Sequence, residues 1–560
     1  MRGLATLILI ASAYLLAGLA VECSADESKA DLVVRNAVAI TVDQARPAAS
    51  AFAVGNGRFM AVGGEDDIRP LIGSATQVID AGGRCVTPGF YDAHIHPQPL
   101  YAEDSPLGVV DCDPAQIKNI DELIRRLQVK AGRTPPGQWV KGYRYQDTKL
   151  GRHPTRHDLD KVSTKHPIYL DHSSWHVAVA NTSALRLARI TRDTQDPQGG
   201  SFDRDDQGEP NGVLRETARQ VVLNAGPASP VATVAEKLAG IRACFRQYVQ
   251  NGITSIADAG ATPDTLQLYR IAQSEESLLR IYLMMKYEHL DALKTDVATH
   301  GRGNEWLKLG GIKHLHGNSL SGHTCWLYQP YHNRPGYFGI PPQDSQDKLN
   351  QIVLAIHRAG FQACIHSNGD REIDMVLNAY EQALVETPLA DPRHRIEHCS
   401  IVNEKILQRI RQLHVVVAPH SYEWEHGDKM EAYGPERWDW MHPNRSALDL
   451  GIPVAGTSDS PVSEPRPMLR IQSMVTRTSA EGKVYGPKQR VSVEQAIEIW
   501  TLGSAVASFD EKVKGSITPG KLADFAVLSA DPRKVPADKI KDIRVLMTTV
   551  GGRIVHRDGI

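Results

Sequence analysis

Eight apolar segments rich in β-branched residues recur along the chain, separated by stretches long enough for a helix. In order they read TPGFYDAHIH, GITSIADAG, LLRIYLMMK, GGIKHLHGN, FQACIHSNG, RHRIEHCS, LHVVVAPH and IPVAGTSDS. Several of the stretches between them, such as DKLNQIVLAIHRAG, have the apolar period of a helix. This alternation predicts the α/β fold class: a (β/α)8 TIM-like barrel, in which functional groups lie at the C-terminal ends of the strands.

Both ends of the chain lie outside this alternation. DLVVRNAVAITVD and SAFAVGNGRFMAVGG near the N-terminus, and GSITPGKLADFAVLS and RVLMTTVGGRIVHRDG near the C-terminus, have the period of short antiparallel strands. We predict a small β-sandwich from residues 30–86 and 510–560, a barrel from residues 87–105 and 216–509, and an inserted subdomain at residues 106–215, after barrel strand 1. An insertion of this length at the mouth of a barrel is expected to roof the functional site.

The first residues predict a targeting segment. No charge occurs between Arg2 and Glu22, and the sequence there, GLATLILIASAYLLAGLAV, is typical of a secretory signal peptide, which we place at residues 1–25. A periplasmic or secreted protein is therefore expected. Because the apolar run is nearly long enough to span a bilayer, an uncleaved membrane anchor is the alternative.

Charge and cysteine usage narrow the classes of partner. The 63 Lys and Arg residues nearly balance the 65 Asp and Glu residues, which argues against nucleic acid or an anionic membrane surface and favours a small-molecule substrate. The seven cysteines are scattered, with no C-x-x-C pair, so we expect buried thiols rather than a disulfide scaffold. The sequence leaves open a homo-oligomer.

Metal-ligating side chains stand where the predicted strands end. His94 and His96 lie two residues apart at the end of the first strand, and therefore point to the same face. His366, His398 and Asp459 end the fifth, sixth and eighth strands. Since these ends converge in a barrel, the side chains predict a site for zinc or a similar divalent ion. Lys313, in the fourth strand, would fit beside a metal only if it were neutral or carboxylated; the alternative is an ordinary ion pair with a carboxylate.

The order of motifs PGFYDAHIH, IKHLHGNSLSG, CIHSNGD, RIEHC and GTSDSPV, followed by GSITPGKLADFAVL, resembles the amidohydrolase superfamily and specifically its YtcJ-like branch (amidohydrolase family 3). The resemblance implies one or two metal ions: His94, His96 and Asp459 for one, His366 and His398 for the other, with a carboxylated Lys313 as bridge. The chain departs from the commoner form of the branch, which has an acidic DGS where Gly317, Asn318 and Ser319 stand.

A metal-bound water would be the nucleophile, with Asp459 as general acid and base. His176, His323 and Tyr143 are candidates for stabilising the oxyanion, and His420 is a further candidate for the substrate pocket. For all four residues a structural role, as a hydrogen-bonded loop or capping residue, is the alternative. The aromatic residues of the loop after the seventh strand either line an apolar pocket or pack that loop; they are Tyr422, Trp424, Tyr433, Trp438 and Trp440.

The resemblance implies an exported metal-dependent hydrolase that cleaves a non-peptide C–N bond. The branch includes N-substituted formamide deformylases, so an amide or N-formyl substrate is expected first. The alternatives are a mononuclear deaminase or cyclic-amide hydrolase, and a non-catalytic metal-containing binding or regulatory protein. No GxSxG, GxxxxGK[ST] or GxGxxG motif supports serine-hydrolase, nucleotide or dinucleotide chemistry.

Overall fold

The computed structural model describes residues 29–560. The leader predicted at residues 1–25 lies outside the described residues. Among the described helices, none has the length and apolarity needed to cross a bilayer.

The centre of the molecule is a nearly closed barrel of seven parallel strands, joined edge to edge in chain order. The strands are β1 (Phe90–Ile95), β2 (Ile253–Ala261), β3 (Arg280–Lys286), β4 (Leu307–Leu315), β5 (Gln362–Ser367), β6 (Arg395–His398) and β7 (Val416–Pro419). Each contains one of the first seven segments predicted as barrel strands.

The eighth predicted strand forms an irregular segment between β7 and β1. Its backbone bonds to β7 through Ala455 N–H and Val417 O (3.0 Å), and to β1 through Ala93 N–H and Gly456 O (2.9 Å). Only Val454 pairs with β7 in a parallel bridge. Pro453 has no N–H to donate, and a Cβ on Gly456 would lie 2.6 Å from the Trp500 ring. Close packing against Trp500 thus replaces a regular ladder here.

Helices follow the strands, and the longer ones share a large apolar core with the barrel. Gln346–Arg358 shows the local cause: Ser345 caps it by accepting the Lys348 N–H at 3.3 Å, and the buried Leu349, Ile352, Val353 and Ile356 recur on one face. The α-helices are Glu65–Ile68, Ile120–Ala131, Asp147–Leu150, Arg156–Asp160, Thr182–Leu187, Thr217–Ala225, Val234–Gln250, Pro263–Glu275, Leu290–His300, Gln346–Arg358, Asp370–Glu386, Glu404–Gln412, Glu423–His426, Pro435–Trp438, Asn444–Asp449, Pro467–Thr476, Val493–Glu498 and Ser504–Val506. Other helical turns are Arg69–Leu71, Tyr287–His289, Gly427–Tyr433, Pro487–Gln489, Ile499–Gly503 and Ala537–Asp542.

The two ends of the chain share a sheet, as the sequence predicts. One sheet of six strands combines Val38–Ile40, Ala48–Ala49 and Cys85–Pro88 with Phe525–Leu528, Val545–Val550 and Arg553–Arg557. A four-stranded sheet contains Leu32–Arg35, Ala51–Gly55, Arg58–Gly63 and Gln77–Asp80. Phe52 and Phe59 from the second sheet meet Phe525 from the first, so both sheets bury one apolar core.

A third sheet lies in the insertion between β1 and β2. Its six strands are Val110–Asp111, Val140–Tyr145, Ile168–His172, Val177–Ala180, Gly200–Arg204 and Pro210–Glu216. Alternate residues of these strands face two apolar cores, one containing Leu170 and Val179, the other containing Tyr169 and Ala178. The insertion therefore has cores of its own. The six cysteines of the described residues are buried free thiols, as expected: Cys85, Cys112, Cys244, Cys325, Cys364 and Cys399.

A buried ion pair connects the barrel to the sheet of the chain ends. Arg280, at the start of β3, donates to Asp524 at 2.7 and 3.0 Å, and both side chains are almost fully buried. We predict that Arg280→Leu destabilises the protein by about 3–5 kcal/mol, because it leaves the Asp524 carboxylate buried without its cation. Chemical denaturation measures the loss. Arg445→Leu, which removes the exposed Arg445–Asp449 pair, is the control and should cost about 0.3–0.5 kcal/mol. Equal losses in the two variants would contradict the prediction.

Candidate metal centre

The C-terminal end of β1 brings two imidazoles to one carboxylate. His94 and His96 alternate with Ile95, so both rings lie on the same side, with centroids 5.2 Å apart. Asp459 Oδ1, from the segment after β7, lies 3.6 Å from His94 Nε2 and 3.2 Å from His96 Nε2. The three residues that the resemblance groups at one ion are therefore adjacent.

His398 enters the same space from β6. Regular alternation would point Glu397 and His398 to opposite faces, but His398 has a φ of +73° and both side chains contact His94. The His94 and His398 ring centroids are 4.8 Å apart. Asp459 also has a left-handed φ, +55°. Non-glycine residues in this region cost free energy and cluster at functional sites.

His366, at the end of β5, packs against His398 with ring centroids 4.5 Å apart. Its Nε2 atom already has protein partners, the Asn318 carbonyl at 3.2 Å and the Asn368 side-chain amide at 3.1 Å. Asn368 is itself held by the Ser400 hydroxyl, which donates to Asn368 Oδ1 at 2.6 Å. The nitrogen that would ligate an ion is thus directed by residues following β4 and β5.

Lys313 of β4 lies among these rings, with Nζ 3.3 Å from His94 Nε2. The side chain is buried, and desolvation lowers the pKa of its amine, although the carboxylates of Glu397 and Asp459 act in the opposite direction. The amine therefore lies at the predicted bridging position.

The donor set suits a divalent metal ion. One donor atom from each of His94, His398 and Asp459 lies within 4.8 Å of the other two. Burial, followed by neighbouring cationic groups, lowers the pKa values of His94, His366 and His398, which favours neutral imidazoles with a free lone pair. Imidazole nitrogens facing a carboxylate are ligands typical of zinc and similar ions.

Glu397 and Arg395 support His94 from below, a contact that motif reading did not identify. Both lie on β6 with one residue between them, so they face the barrel interior together. Glu397 Oε2 bonds to His94 Nδ1, and Arg395 donates to Glu397 Oε2 at 2.8 Å and to the Ala93 carbonyl at 2.7 Å. A carboxylate on Nδ1 leaves Nε2 as the metal-facing nitrogen. The alternating charges of RIEH were the available signal.

Glu372 explains the departure at Gly317. Its buried carboxylate accepts backbone N–H groups from both loops beside the site: Asn318 (3.0 Å), Trp326 (2.7 Å), Asn368 (3.2 Å) and Gly369 (2.9 Å). Gly317 has a φ of +87°, and a Cβ there would lie 2.5 Å from Glu372 Oε2. An acidic residue at position 317 would therefore clash with this carboxylate and be repelled by it.

A turn of the inserted sheet, residues 172–176, covers the centre. The Trp175 ring lies 6.0 Å from that of His96, and the His176 ring 5.1 Å from that of His366. His172 fixes the turn by accepting the Ser174 N–H on Nδ1 at 3.0 Å. The insertion thus reaches the centre from above, as expected of a roof.

The other predicted contact residues have different surroundings. His420 lies beside the centre, 6.3 Å from the His398 ring, and its nitrogens face the Thr457 and Ser463 hydroxyls at 3.4 and 3.2 Å. His323 Nε2 is occupied by the Lys429 carbonyl at 3.2 Å. Tyr143 lies in strand Val140–Tyr145 of the insertion, where the Arg144 guanidinium is 5.4 Å from its ring. The structure thus brings His176 and His420 to the histidine cluster, whereas the contacts of His323 and Tyr143 are those of structural residues.

The aromatic residues after β7 divide between site and packing. Tyr422 stacks on His420 with centroids 4.4 Å apart. Tyr433 packs on Tyr331, and Trp438 on Tyr485. Trp424 lies beneath the Lys541 ammonium, 5.0 Å away, and Trp440 packs at the edge of the main core. Most of this group therefore packs the long loop.

Comparison with known proteins agrees with this geometry. The sequence matches the amidohydrolase family over residues 77–556. N-substituted formamide deformylase of Arthrobacter pascens is 29% identical over 93% of this chain and 97% of its own length. The putative amidohydrolase YtcJ of Bacillus subtilis is 26% identical over 90% and 95%, respectively. An uncharacterized metal-dependent hydrolase from Pyrococcus horikoshii has the same fold, with a TM-score of 0.70 at 24% identity, covering 90% of this chain and 99% of that one. The predicted resemblance is confirmed: the chain belongs to the amidohydrolase family and is a metal-dependent hydrolase of carbon–nitrogen bonds.

Proposed function

We propose that the chain is an exported hydrolase that cleaves the C–N bond of a small amide or N-formyl compound. The observation that carries the proposal is the meeting of three imidazoles, a buried lysine and a carboxylate beneath the roof of the insertion; the residues are His94, His96, Lys313, His398 and Asp459. The similarity to N-substituted formamide deformylase over nearly the whole chain favours formamides. Export rests on the leader at residues 1–25, and retention of that segment would anchor the protein to a membrane.

For the architecture we propose a (β/α)8 barrel whose eighth position is the irregular segment around Val454, and a β-sandwich built from the two sheets of the chain ends. The hydrogen bonds of the segment to both β7 and β1 support the barrel, and the shared core of the sheets supports the sandwich. The proposed boundaries are residues 30–86 with 510–560, 87–105 with 216–509, and 106–215 for the insertion.

We propose that His94, His96 and Asp459 hold one metal ion and that His366 and His398 hold a second, with Lys313 between them. Zinc is the first expectation for this ligand set. When bound, such an ion polarises a carbonyl and lowers the pKa of a water molecule.

The protein groups supply proton transfer and orientation. The Asp459 carboxylate can accept a proton from the attacking water and deliver it to the departing nitrogen, since its Oδ1 faces the open side of the His94 and His96 rings. Glu397 fixes the orientation of His94 from the other side. The turn at residues 172–176 limits access of bulk water.

A mononuclear deaminase or cyclic-amide hydrolase is the second candidate. The protein partners of His366 Nε2 favour it, because a nitrogen engaged by Asn318 and Asn368 is less available to a second ion. The metal content distinguishes the two: nearly two ions per chain with a carboxylated Lys313 supports the first candidate, and one ion with a free lysine supports the second.

The decisive experiment is a panel of amides, formamides, ureas, lactams, aminopurines and esters, assayed with metal-loaded protein whose metal content is measured by elemental analysis. Turnover of amides or formamides, abolished by a chelator and restored by zinc, is expected. Turnover confined to aminopurines or lactams would replace the first candidate with the second. Hydrolysis of nothing on the panel would contradict both.

We predict that Asp459→Asn lowers kcat by about 10²–10⁴-fold, because asparagine keeps the shape but cannot accept the proton. Steady-state kinetics on the best substrate of the panel measures the loss. The exposed Asp449→Asn is the matched control and should retain wild-type rates. Wild-type kcat in Asp459→Asn would exclude the acid–base role.

We predict that Glu397→Gln weakens metal binding by about 10–100-fold, because the neutral amide holds the His94 ring less firmly than the carboxylate does. Competition with a chromogenic chelator measures the affinity, and circular dichroism checks folding. Glu381→Gln, in the exposed pair with Arg409, is the control. An unchanged affinity in folded Glu397→Gln would show that this contact does not support the metal.

A further inference from the structure

His176 and Glu216 form a pair at the inner edge of the roof. His176 follows the turn that covers the centre, and Glu216 ends strand Pro210–Glu216 of the inserted sheet. Glu216 Oε2 lies 2.6 Å from His176 Nδ1, and the Glu216 N–H donates to the His176 carbonyl at 2.8 Å. The two residues are thus joined through both backbone and side chain.

The backbone of Glu216 is strained to make this contact. Its φ is +51° and its ψ −121°, a combination that side-chain-bearing residues rarely adopt. Such conformations cost about 1–3 kcal/mol and persist where the surrounding structure requires them. The strain places the carboxylate of Glu216 against His176 rather than along the regular strand.

The hydrogen bonds around Glu216 determine which His176 nitrogen carries hydrogen. Thr324 donates its hydroxyl to Glu216 Oε1, while the Thr324 oxygen accepts the Ser319 N–H at 3.0 Å. The single hydroxyl hydrogen is therefore directed at the carboxylate, which accepts on both oxygens. His176 Nδ1 must then be the donor to Oε2, and a neutral imidazole protonated on Nδ1 presents a lone pair on Nε2.

The free nitrogen faces the centre. The His176 ring packs against that of His366 with centroids 5.1 Å apart and planes 31° apart. The side chain is 12% exposed, and within residues 29–560 its Nε2 makes no hydrogen bond. A nearly buried acceptor without a protein partner, next to the site of chemistry, is placed to bind a donor on the substrate.

We infer that His176 is a specificity-determining residue whose Nε2 accepts the N–H of the scissile amide. The chain would then select primary and secondary amides or formamides over N,N-disubstituted amides and esters, which have no such hydrogen. This differs from the oxyanion role expected from the sequence, because a lone-pair acceptor does not stabilise a developing negative charge. The inference rests on the proposed function.

Three probes with the same formyl group test it: formanilide, N-methylformanilide and phenyl formate. The zinc-loaded full chain is compared with His176→Phe, and His157→Phe, an exposed histidine of the same insertion, is the matched control. We expect His176→Phe to lower kcat/KM for formanilide by about 10–100-fold with little change for the other two probes, since only formanilide loses a hydrogen bond. The zinc content should stay constant.

A second readout is independent of turnover. With ¹⁵N-labelled histidine, the ring signals present in wild type and missing from His176→Phe belong to His176, and we expect hydrogen on Nδ1 and an unprotonated Nε2. Hydrogen on Nε2, or an equal loss of activity on all three probes, would overturn the inference. If wild type hydrolysed none of the probes, the proposed formamide activity would fail, and the spectrum alone would decide the acceptor assignment.

Discussion

The near-closure of a parallel sheet is the constraint on which the site depends. Because all seven strands run in one direction, their C-terminal ends meet at a single rim, and residues far apart in sequence become neighbours. His94 of β1, His398 of β6 and Asp459 of the closing segment have donor atoms within 4.8 Å of one another for this reason. No local structure could bring them together, and the irregular segment between β7 and β1 contributes the one carboxylate of this trio.

Buried charge beneath the rim fixes the donors. Arg395 and Glu397 lie inside the barrel with no exposure to solvent, and Glu397 engages His94. A buried ion pair is a poor source of net stability, since desolvation offsets much of the attraction. Its effect here is orientation, because the carboxylate on Nδ1 directs the opposite nitrogen of His94 toward Asp459. Glu372 acts similarly on the backbone, gathering N–H groups from the loops after β4 and β5.

The insertion contributes what the barrel lacks, a covering surface with its own polar groups. Its sheet has two cores of its own, so the turn at residues 172–176 is held by packing rather than by contact with a ligand. Trp175 and His176 thereby lie over different histidines of the centre. Relatives that share the barrel can differ in substrate through this turn, because it contacts the space above the donors without belonging to the set.

Periodicity and strand-end chemistry were enough to predict the seven regular barrel strands, the position of the insertion, the sheet shared by the chain ends and the histidines of the rim. These depend on local patterns, which a sequence displays directly. The tertiary structure decided the irregular course around Val454, the structural surroundings of His323 and Tyr143, and the supporting roles of Glu397, Glu372 and Glu216. These depend on contacts between residues up to about 300 positions apart, as in the pairing of His94 with Glu397, and on left-handed backbone at His398 and Asp459 that no period encodes.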